Sequence, residues 1–317
     1  PIKMIKQDSS ESPDWDKEFP IFTVNQEQFI EYPLLARFLE IPDAPKKIYC
    51  RGKFPDPSVK YLAVVGSRQV TTYGKDAVKS LIDGLAGQPI CIISGLALGV
   101  DGLSHEAALN NELPTISIPG SGLGKKTIYP SSHRRMADRI LKAGGLLLSE
   151  IPTEFGASAW SFQSRNRLMA ALSDAVLVVE AKEQSGSLIT ARFAAEYNRD
   201  LWCVPGPINS PNSVGTNRFI KDGAGLIQNS NDILHNFRLR VIKSDKEAGE
   251  ETATQFPLPQ NLTDTEALIL TSLIEPTTKD SLMQKLGIEI GTFLTALTML
   301  EMKGHTKEEV GILRRVK

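Results

Sequence analysis

Tyr61-Leu62-Ala63-Val64-Val65-Gly66-Ser67-Arg68 decides the fold. Its apolar run, stopped by a glycine, reads as a strand. A helix pattern follows at 74–86, and the same unit then recurs. Further strand patterns lie at 89–93, 114–118, 145–149, 175–179 and 201–204. Helix patterns alternate with them at 101–111, 131–143, 163–172 and 187–198. This repetition predicts a mostly parallel, doubly wound α/β sheet. The binding crevice of such a sheet lies beyond the C-terminal ends of its strands. The glycine-rich and charged turns of this chain fall at those ends and are expected to converge.

Working outward, residues 1–18 are polar and read as a flexible extension. Residues 19–60 read as a short helical lead-in. A helix is expected over 26–41 with Phe29, Leu34, Leu35, Phe38 and Leu39 on its apolar face; Pro42 and Pro45 end it, and 48–50 form a short strand. Residues 61–240 are the central domain. Residues 241–260, mixing Lys, Glu, Gly, Thr and Pro, read as a linker. Residues 261–317 form a small winged-helix-like domain. There, Thr263-Asp-Thr-Glu266 reads as a capping box, helices follow at 279–286 and 289–303, and Gly304 and Gly311-Ile-Leu suggest a β wing.

The chain has 317 residues, 41% of them hydrophobic, enough for one large core with satellites. Its net charge of -1 argues against a lysine-coated, nonspecific duplex binder. The distribution is uneven: residues 61–240 carry 18 basic and 15 acidic side chains, whereas 241–317 carry 9 and 12. A polyanion site therefore belongs on the central domain. The cysteines, Cys50, Cys91 and Cys203, fit neither a zinc motif nor a disulfide framework and read as buried thiols. No apolar run approaches the ~20 residues of a membrane span, and no signal-peptide pattern opens the chain. A cytoplasmic protein is expected, and the first residue, Pro1, reads as the start of a processed or trimmed product.

The candidate site is built from the strand-end turns. Gly66, Ser67 and Arg68 offer a tight turn, a helix start and a guanidinium that matches phosphate. No Gly-x-Gly-x-x-Gly fingerprint or P-loop accompanies them. In Ser94-Gly-Leu-Ala-Leu-Gly-Val-Asp101, the carboxylate reads as a helix N-cap; His105 lies one turn on, and a structural hydrogen bond is favoured over acid–base chemistry. The loop from Pro119 to Pro130 combines Gly120, Gly122 and Gly124 with Lys125 and Lys126. With Arg134 and Arg135 it reads as an adaptable wall of a polyanion groove. Phe162-Gln163-Ser164-Arg165-Asn166-Arg167 joins an aromatic to two arginines. Two residues apart on a helix, Arg165 and Arg167 cannot share a face. One is expected to reach phosphate while the other is held inward against Glu150 or Glu180. Phe162 is a core anchor or a stacking platform. Ser185, Gly186 and Ser187 open a helix and suit an anion, with no base beside them to make a nucleophile. Pro205-Gly206-Pro207 and Gly215-Thr216-Asn217 read as later turns. No catalytic group, metal cluster or cofactor is expected. In the tail, no Arg or Lys lies between Glu289 and Glu301, so its third helix suits protein contact better than duplex reading.

Taken in order, Gly66-Ser-Arg68 with Tyr73-Gly74, Ser94 to Asp101 with His105, Gly122-Leu123, Tyr129-Pro130, Ser149-Glu150, Phe162-x-x-Arg165-Asn-Arg167, Val179-Glu180-Ala181, Ser185 to Thr190, Val204-Pro-Gly206, Gly215-x-Asn217 and Gly223-Ala224 resemble the DNA processing protein A (DprA/Smf) family. The resemblance covers residue 48 to about 235, and the tail is similar to the winged-helix-like domain of many members. It implies a Rossmann-like single-stranded DNA-binding fold without established catalysis, which protects incoming strands, helps load the strand-exchange recombinase in natural transformation, and acts as a homodimer. On this chain, Arg68, the loop near Lys125 and the segment from Phe162 to Arg167 would form the DNA pocket, with Ser187 and its turn supporting phosphate. The chain departs from the family where Gly124-Lys125-Lys126 replaces an acidic residue and where Ser132-His133 replaces Glu-Asn. The N-terminal helical domain of longer members reads as truncated or divergent. Two other functions stay open: a nucleotide or nucleoside-phosphate hydrolase on the same sheet, and a protein-interaction scaffold built on the acidic tail.

Overall fold

The computed structural model describes residues 15–240, 262–273, 277–309 and 311–315. The chain divides into two units, Pro1–Ile242 and Lys243–Lys317. The first opens with a helical turn, α1 (Trp15–Glu18), and a strand, β1 (Ile21–Asn25). A short helix α2 (Pro33–Ala36) and strand β2 (Lys47–Gly52) complete the lead-in. The alternating body then runs β3 (Lys60–Gly66), α3 (Thr72–Asp83), β4 (Ile90–Ser94), α4 (Val100–Asn110), β5 (Thr115–Ser117), α5 (Arg134–Lys142) and β6 (Leu146–Ser149). It continues as α6 (Ala159–Leu172), β7 (Ala175–Val179), α7 (Ser187–Glu196), β8 (Asp200–Cys203), α8 (Val214–Lys221), β9 (Gly225–Leu226) and α9 (Ser230–Asn236).

The nine strands form one sheet in the order β1-β2-β6-β5-β4-β3-β7-β8-β9. Every pairing from β6 to β9 is parallel; β2 runs antiparallel to β6, and β1 antiparallel to β2. The doubly wound reading thus holds, with an antiparallel ribbon on one edge. Side chains of β3 alternate between two cores. Ala63 and Val65 pack with Leu168, Met169 and Leu172 of α6 and Ala191 of α7. Leu62 and Val64 pack with Val78 and Leu81 of α3, Ala107 of α4 and Ile233 of α9. Helices on both faces explain why β3 is apolar throughout rather than alternating. From β3 the chain winds outward to β6, then returns to place β7 on the other side of β3. The switch point therefore lies between Gly66 and Val179, the C-terminal ends of β3 and β7.

The lead-in departs from the expected single helix. Tyr32 is extended (φ -117°, ψ 105°) because Pro33 follows it, and the helix restarts as α2 between two 3-10 turns, Gln26–Glu31 and Arg37–Glu40. Strand β1 was not signalled by the sequence, because Val24 is its one buried residue. The expected extension also ends sooner: residues 1–14 lie outside the described residues, but Trp15 is buried and its Nε1 donates to Asp138 (3.0 Å). The guanidinium of Arg51, fully buried, lies 5.4 Å from the Trp15 ring and pairs with Asp16 at 2.7 Å. The N-cap of α4 is Gly99 (φ 80°) rather than Asp101, and Gly215-Thr216-Asn217 lies in the first turns of α8 instead of a loop. The cysteines are free and buried.

The expected linker, 241–260, lies outside the described residues. The second unit packs α10 (Asp264–Ser272), α11 (Lys279–Leu286) and α12 (Ile290–Met302) against a sheet of β10 (Thr277–Thr278), β11 (Thr306–Glu309) and β12 (Ile312–Arg315). Leu270, Leu282, Phe293, Leu297 and Leu313 make its core. The Thr263–Glu266 capping box forms as expected. Strands β11 and β12 pair as the wing.

Candidate functional site

A cleft of about 660 Å³ opens at the switch point. Its walls are the turn after β3, the turn and first helical residues after β7, and one face of α6, with Ala97 and Asp101 at the β4 end. Gly66 is required at the base: a Cβ there would lie 1.9 Å from the Val179 carbonyl oxygen. The next residues turn over it. Ser67 accepts from the Gln69 amide through its hydroxyl (3.1 Å) and from the Val100 amide through its carbonyl (3.1 Å). Arg68 is exposed, and its guanidinium lies over the Phe162 ring, 4.9 Å from the centroid.

Helix α6 begins at Ala159, four residues before the expected start, because Ser158 and Ser161 form a capping box. Phe162, Arg165 and Asn166 consequently face the cleft from the first two turns of this helix. Arg165 is 6% exposed and forms the floor. Its Nη1 donates to the Ile118 carbonyl (2.6 Å) and lies 3.9 Å from Asp101. Asp101 in turn accepts from the amides of Gly95 (3.1 Å) and Ala97 (3.4 Å). Burial raises the pKa of this carboxyl while Arg165 opposes the shift; burial also lowers the pKa of Arg165. Among the charged groups lining the cleft, Arg68, Arg165 and Lys182 outnumber the one carboxylate, Asp101, so the field there is positive.

Arg167 points elsewhere, as the two-residue spacing requires. It pairs with Glu150 (2.6 Å) and Asp43 (3.3 Å) and ties the lead-in to the end of β6. Glu180 is not its partner: that carboxylate accepts from both the amide (2.9 Å) and the hydroxyl of Thr71, the N-cap of α3. Between Arg165 and Arg167, the cleft-side arginine is buried and the other is engaged outside the cleft.

The opposite wall is the start of α7. Ser185 and Ser187 share a hydroxyl hydrogen bond (2.8 Å), and Asn166 donates to the Gly186 carbonyl (3.2 Å). The first turn of α7 lines the cleft, which brings the positive end of its dipole there. Thr190, the last residue of the Ser185–Thr190 segment, also lines it; its buried hydroxyl has no hydrogen-bond partner among the described residues. A buried, unpaired hydroxyl is costly unless something bonds it.

Gly66, Ser67, Arg68, Phe162, Arg165, Asn166, Ser185, Gly186 and Ser187 therefore meet in one place. Lys125 and Lys126 do not line it. They sit on the 119–130 loop, with the Lys125 ammonium 5.9 Å from the Trp15 ring. That loop is pinned rather than adaptable. Gly122 donates to Phe155 (2.8 Å), Thr127 to Thr153 (2.8 Å) and Ser149 to Ser121 (2.8 Å). Nor is Asp101–His105 an acid–base pair: His105 Nδ1 bonds Thr115 Oγ1 (2.8 Å). Among the described residues, no group of three His, Cys, Asp or Glu is placed to hold a metal ion, and no helix is long and apolar enough to cross a membrane.

Comparison with known proteins adds lineage to this geometry. A family model for DNA recombination-mediator protein A matches residues 23–238, and one for the DprA winged helix domain matches 252–311. Protein Smf of Escherichia coli (strain K12) is 36% identical over 279 residues, covering 86% of this chain and 72% of its own. DNA processing protein DprA of Bacillus subtilis (strain 168) is 36% identical over 214 residues, covering 67% of this chain and 70% of its own. The solved structure of DNA processing protein A from Streptococcus pneumoniae superposes with a TM-score of 0.61 at 34% identity, covering 70% of this chain and 75% of that one. DNA processing protein A from Helicobacter pylori, described for its single-stranded DNA binding mode, gives 0.59 at 32% identity, covering 69% and 96%.

Proposed function

Since the chain belongs to the DNA recombination-mediator protein A family, we propose that its cleft grips the backbone of single-stranded DNA. The observation that carries the reading is Arg68. Its exposed guanidinium rests on Phe162 and faces the positive end of α7 across the cleft. A phosphate held there meets a two-pronged donor on one side and hydroxyls and a helix start on the other. The adjoining base meets the Phe162 face, a contact that tolerates any sequence. Asp101 and Arg165 offset each other in the floor, and Arg68 and Lys182 leave the site net positive. On this reading the cleft holds its ligand without turning it over, which the mutual hydrogen bond of the Ser185 and Ser187 hydroxyls and the bonding of buried His105 to Thr115 support.

On this reading the protein covers incoming single strands and helps load the strand-exchange recombinase in natural transformation, acting as a homodimer in the cytoplasm. The second unit supplies a protein contact. Helix α12 exposes Ile290, Leu294 and Met302 and carries no cation before Lys303, which suits an apolar partner surface better than phosphate.

Fluorescence anisotropy with oligothymidylate tests the cleft. Arg68→Glu should weaken binding at least about tenfold, and wild-type affinity should fall as salt rises. Unchanged affinity in Arg68→Glu would remove the cleft from the reading. A panel of nucleotides incubated with the protein, followed by product analysis, separates binding from hydrolysis.

A further inference from the structure

We infer that the turn α1 (Trp15–Glu18) is a reversible strap, which sets the position of the cleft wall Phe162 from outside the cleft. The inference rests on the cleft reading and adds a control element to it.

The strap is a single helical turn, joined to β1 through the exposed Pro20. Trp15 anchors it at 2% exposure, while the Asp16 side chain stays 86% exposed. Trp15 shares a buried cluster with Leu123 and Ile128 of the 119–130 loop and with Ala137 and Ile140 of α5. The hydrogen bonds already described fix that loop on the flank facing Ser149, Thr153 and Phe155; its apolar flank rests in the Trp15 cluster. The same loop supports Phe162. A Cβ on Gly120 would sit 2.5 Å from the Phe162 ring, and the Tyr129 ring lies 5.5 Å from it, centroid to centroid. Arg68 in turn rests on Phe162. Trp15 thus reaches the exposed guanidinium through two layers of packing without lining the cleft itself.

Opposing forces make the docking reversible. Burial of the indole favours it. Covering Arg51 opposes it. That guanidinium is fully buried; its Nη2 pairs with Asp16, and its Nε and Nη1 have no hydrogen-bond partner among the described residues. A buried cation with two orphan donors carries a desolvation penalty that one exposed carboxylate does not offset. Lifting the strap returns the guanidinium to water. The indole N–H leaves Asp138 at little cost, because Lys142 already pairs with that carboxylate (2.9 Å). Leu123 and Ile128 have no such substitute, so an open strap loosens the loop beneath Phe162.

Acrylamide quenching of the full chain in a Trp160→Phe background reads the strap. The chain has three tryptophans; Trp160 is the exposed one, and Trp15 and Trp202 are buried. Asp16→Ala strips Arg51 of its counter-charge and should raise the open population about fivefold, seen as stronger quenching. Arg51→Met removes the orphan donors, keeps an apolar stem and should weaken quenching. Trp15→Ala, which releases the strap outright, should bind oligothymidylate about fivefold more weakly, and Trp15→Phe should restore affinity. Linkage demands the reciprocal effect: saturating oligothymidylate should lower the open population of Asp16→Ala by that same factor. This arm carries the coupling even where Trp15→Ala fails to fold. Quenching that responds to neither Asp16→Ala nor Arg51→Met would overturn the strap. Wild-type affinity in a folded Trp15→Ala, or quenching unmoved by oligothymidylate, would overturn its link to Phe162. Undiminished binding by Arg68→Glu strikes the cleft reading instead, since the quenching responses to Asp16→Ala and Arg51→Met involve no DNA.

Discussion

A Cβ at position 95 would lie 1.3 Å from Arg165 Nη1. Gly95→Ala therefore pushes the guanidinium off the Ile118 carbonyl and away from Asp101, leaving two buried charges poorly matched. The expected loss is about 3 kcal/mol in urea unfolding, with weakened oligonucleotide binding. His105 gives a pH-dependent counterpart. Thr115 donates its own hydroxyl proton to Ile92 (2.9 Å), so His105 Nδ1 carries a hydrogen toward it. Burial, with His133 and Arg165 nearby, holds the His105 pKa down from 6.5 to about 3. In this interval the unfolded chain takes up a proton that the folded one refuses. The contribution is full above pH 6.5 and is lost as pH falls, by about 1.4 kcal/mol per unit. The raised Asp101 carboxyl acts in the opposite sense, so the measurement compares wild type with His105→Gln at each pH. The advantage of wild type should shrink by about 2 kcal/mol between pH 6.5 and 5. Sequence spacing alone separated Arg165 from Arg167. It did not say which faced the cleft, because that depends on where Ile118, Asp101 and Glu150 fall in space. Thr190 was named in the sequence as part of the Ser185–Thr190 segment, but that its hydroxyl is buried against the cleft and unpaired among the described residues depends on the same spatial packing.

At the scale of elements, the start of α3 is tied to the end of β7. Thr71 accepts from the Gly74 amide (3.2 Å) as N-cap, and Glu180 holds Thr71 by amide and hydroxyl. Thr71→Ala should cost about 1–2 kcal/mol of unfolding free energy, since it removes the cap and strips Glu180 of one donor. Glu180→Gln should cost less, because its side chain still accepts from the Thr71 amide. The body strands were legible because double burial writes an unbroken apolar run into the chain. Strand β1 was not, since Ile21-Phe22-Thr23-Val24-Asn25 buries only Val24 and owes its shape to pairing with β2. The expected helix over 26–41 carried the right apolar residues, and Phe29, Leu35 and Phe38 are indeed fully buried. Its continuity failed at Tyr32-Pro33, where backbone geometry outweighed periodicity. For α6, the Ser158–Ser161 box was hidden by small polar residues that resemble a loop.

Across the whole molecule, every residue of the cleft belongs to the unit Pro1–Ile242. A protein ending at Ile242 should bind oligothymidylate within about twofold of the full chain, while losing any partner association that uses α12; anisotropy and pull-down with purified recombinase measure the two separately. Loss of DNA binding with the truncated protein still folded would reassign the second unit. The two-unit division was readable from the shift in composition and charge around residue 241. The sheet order was not, because it is fixed by pairings far apart in sequence: Leu62 with Ala175, and Cys50 with Leu148. These pairings set a timetable for synthesis. A ribosome that has released β3 must make more than a hundred further residues before β7 can flank it, and Thr190 must follow before the cleft has two walls. Until then β3 presents an apolar edge to the surroundings. Nascent chains halted before residue 175 should be the ones that engage chaperones, and chains halted beyond 190 the first that can hold a strand of DNA.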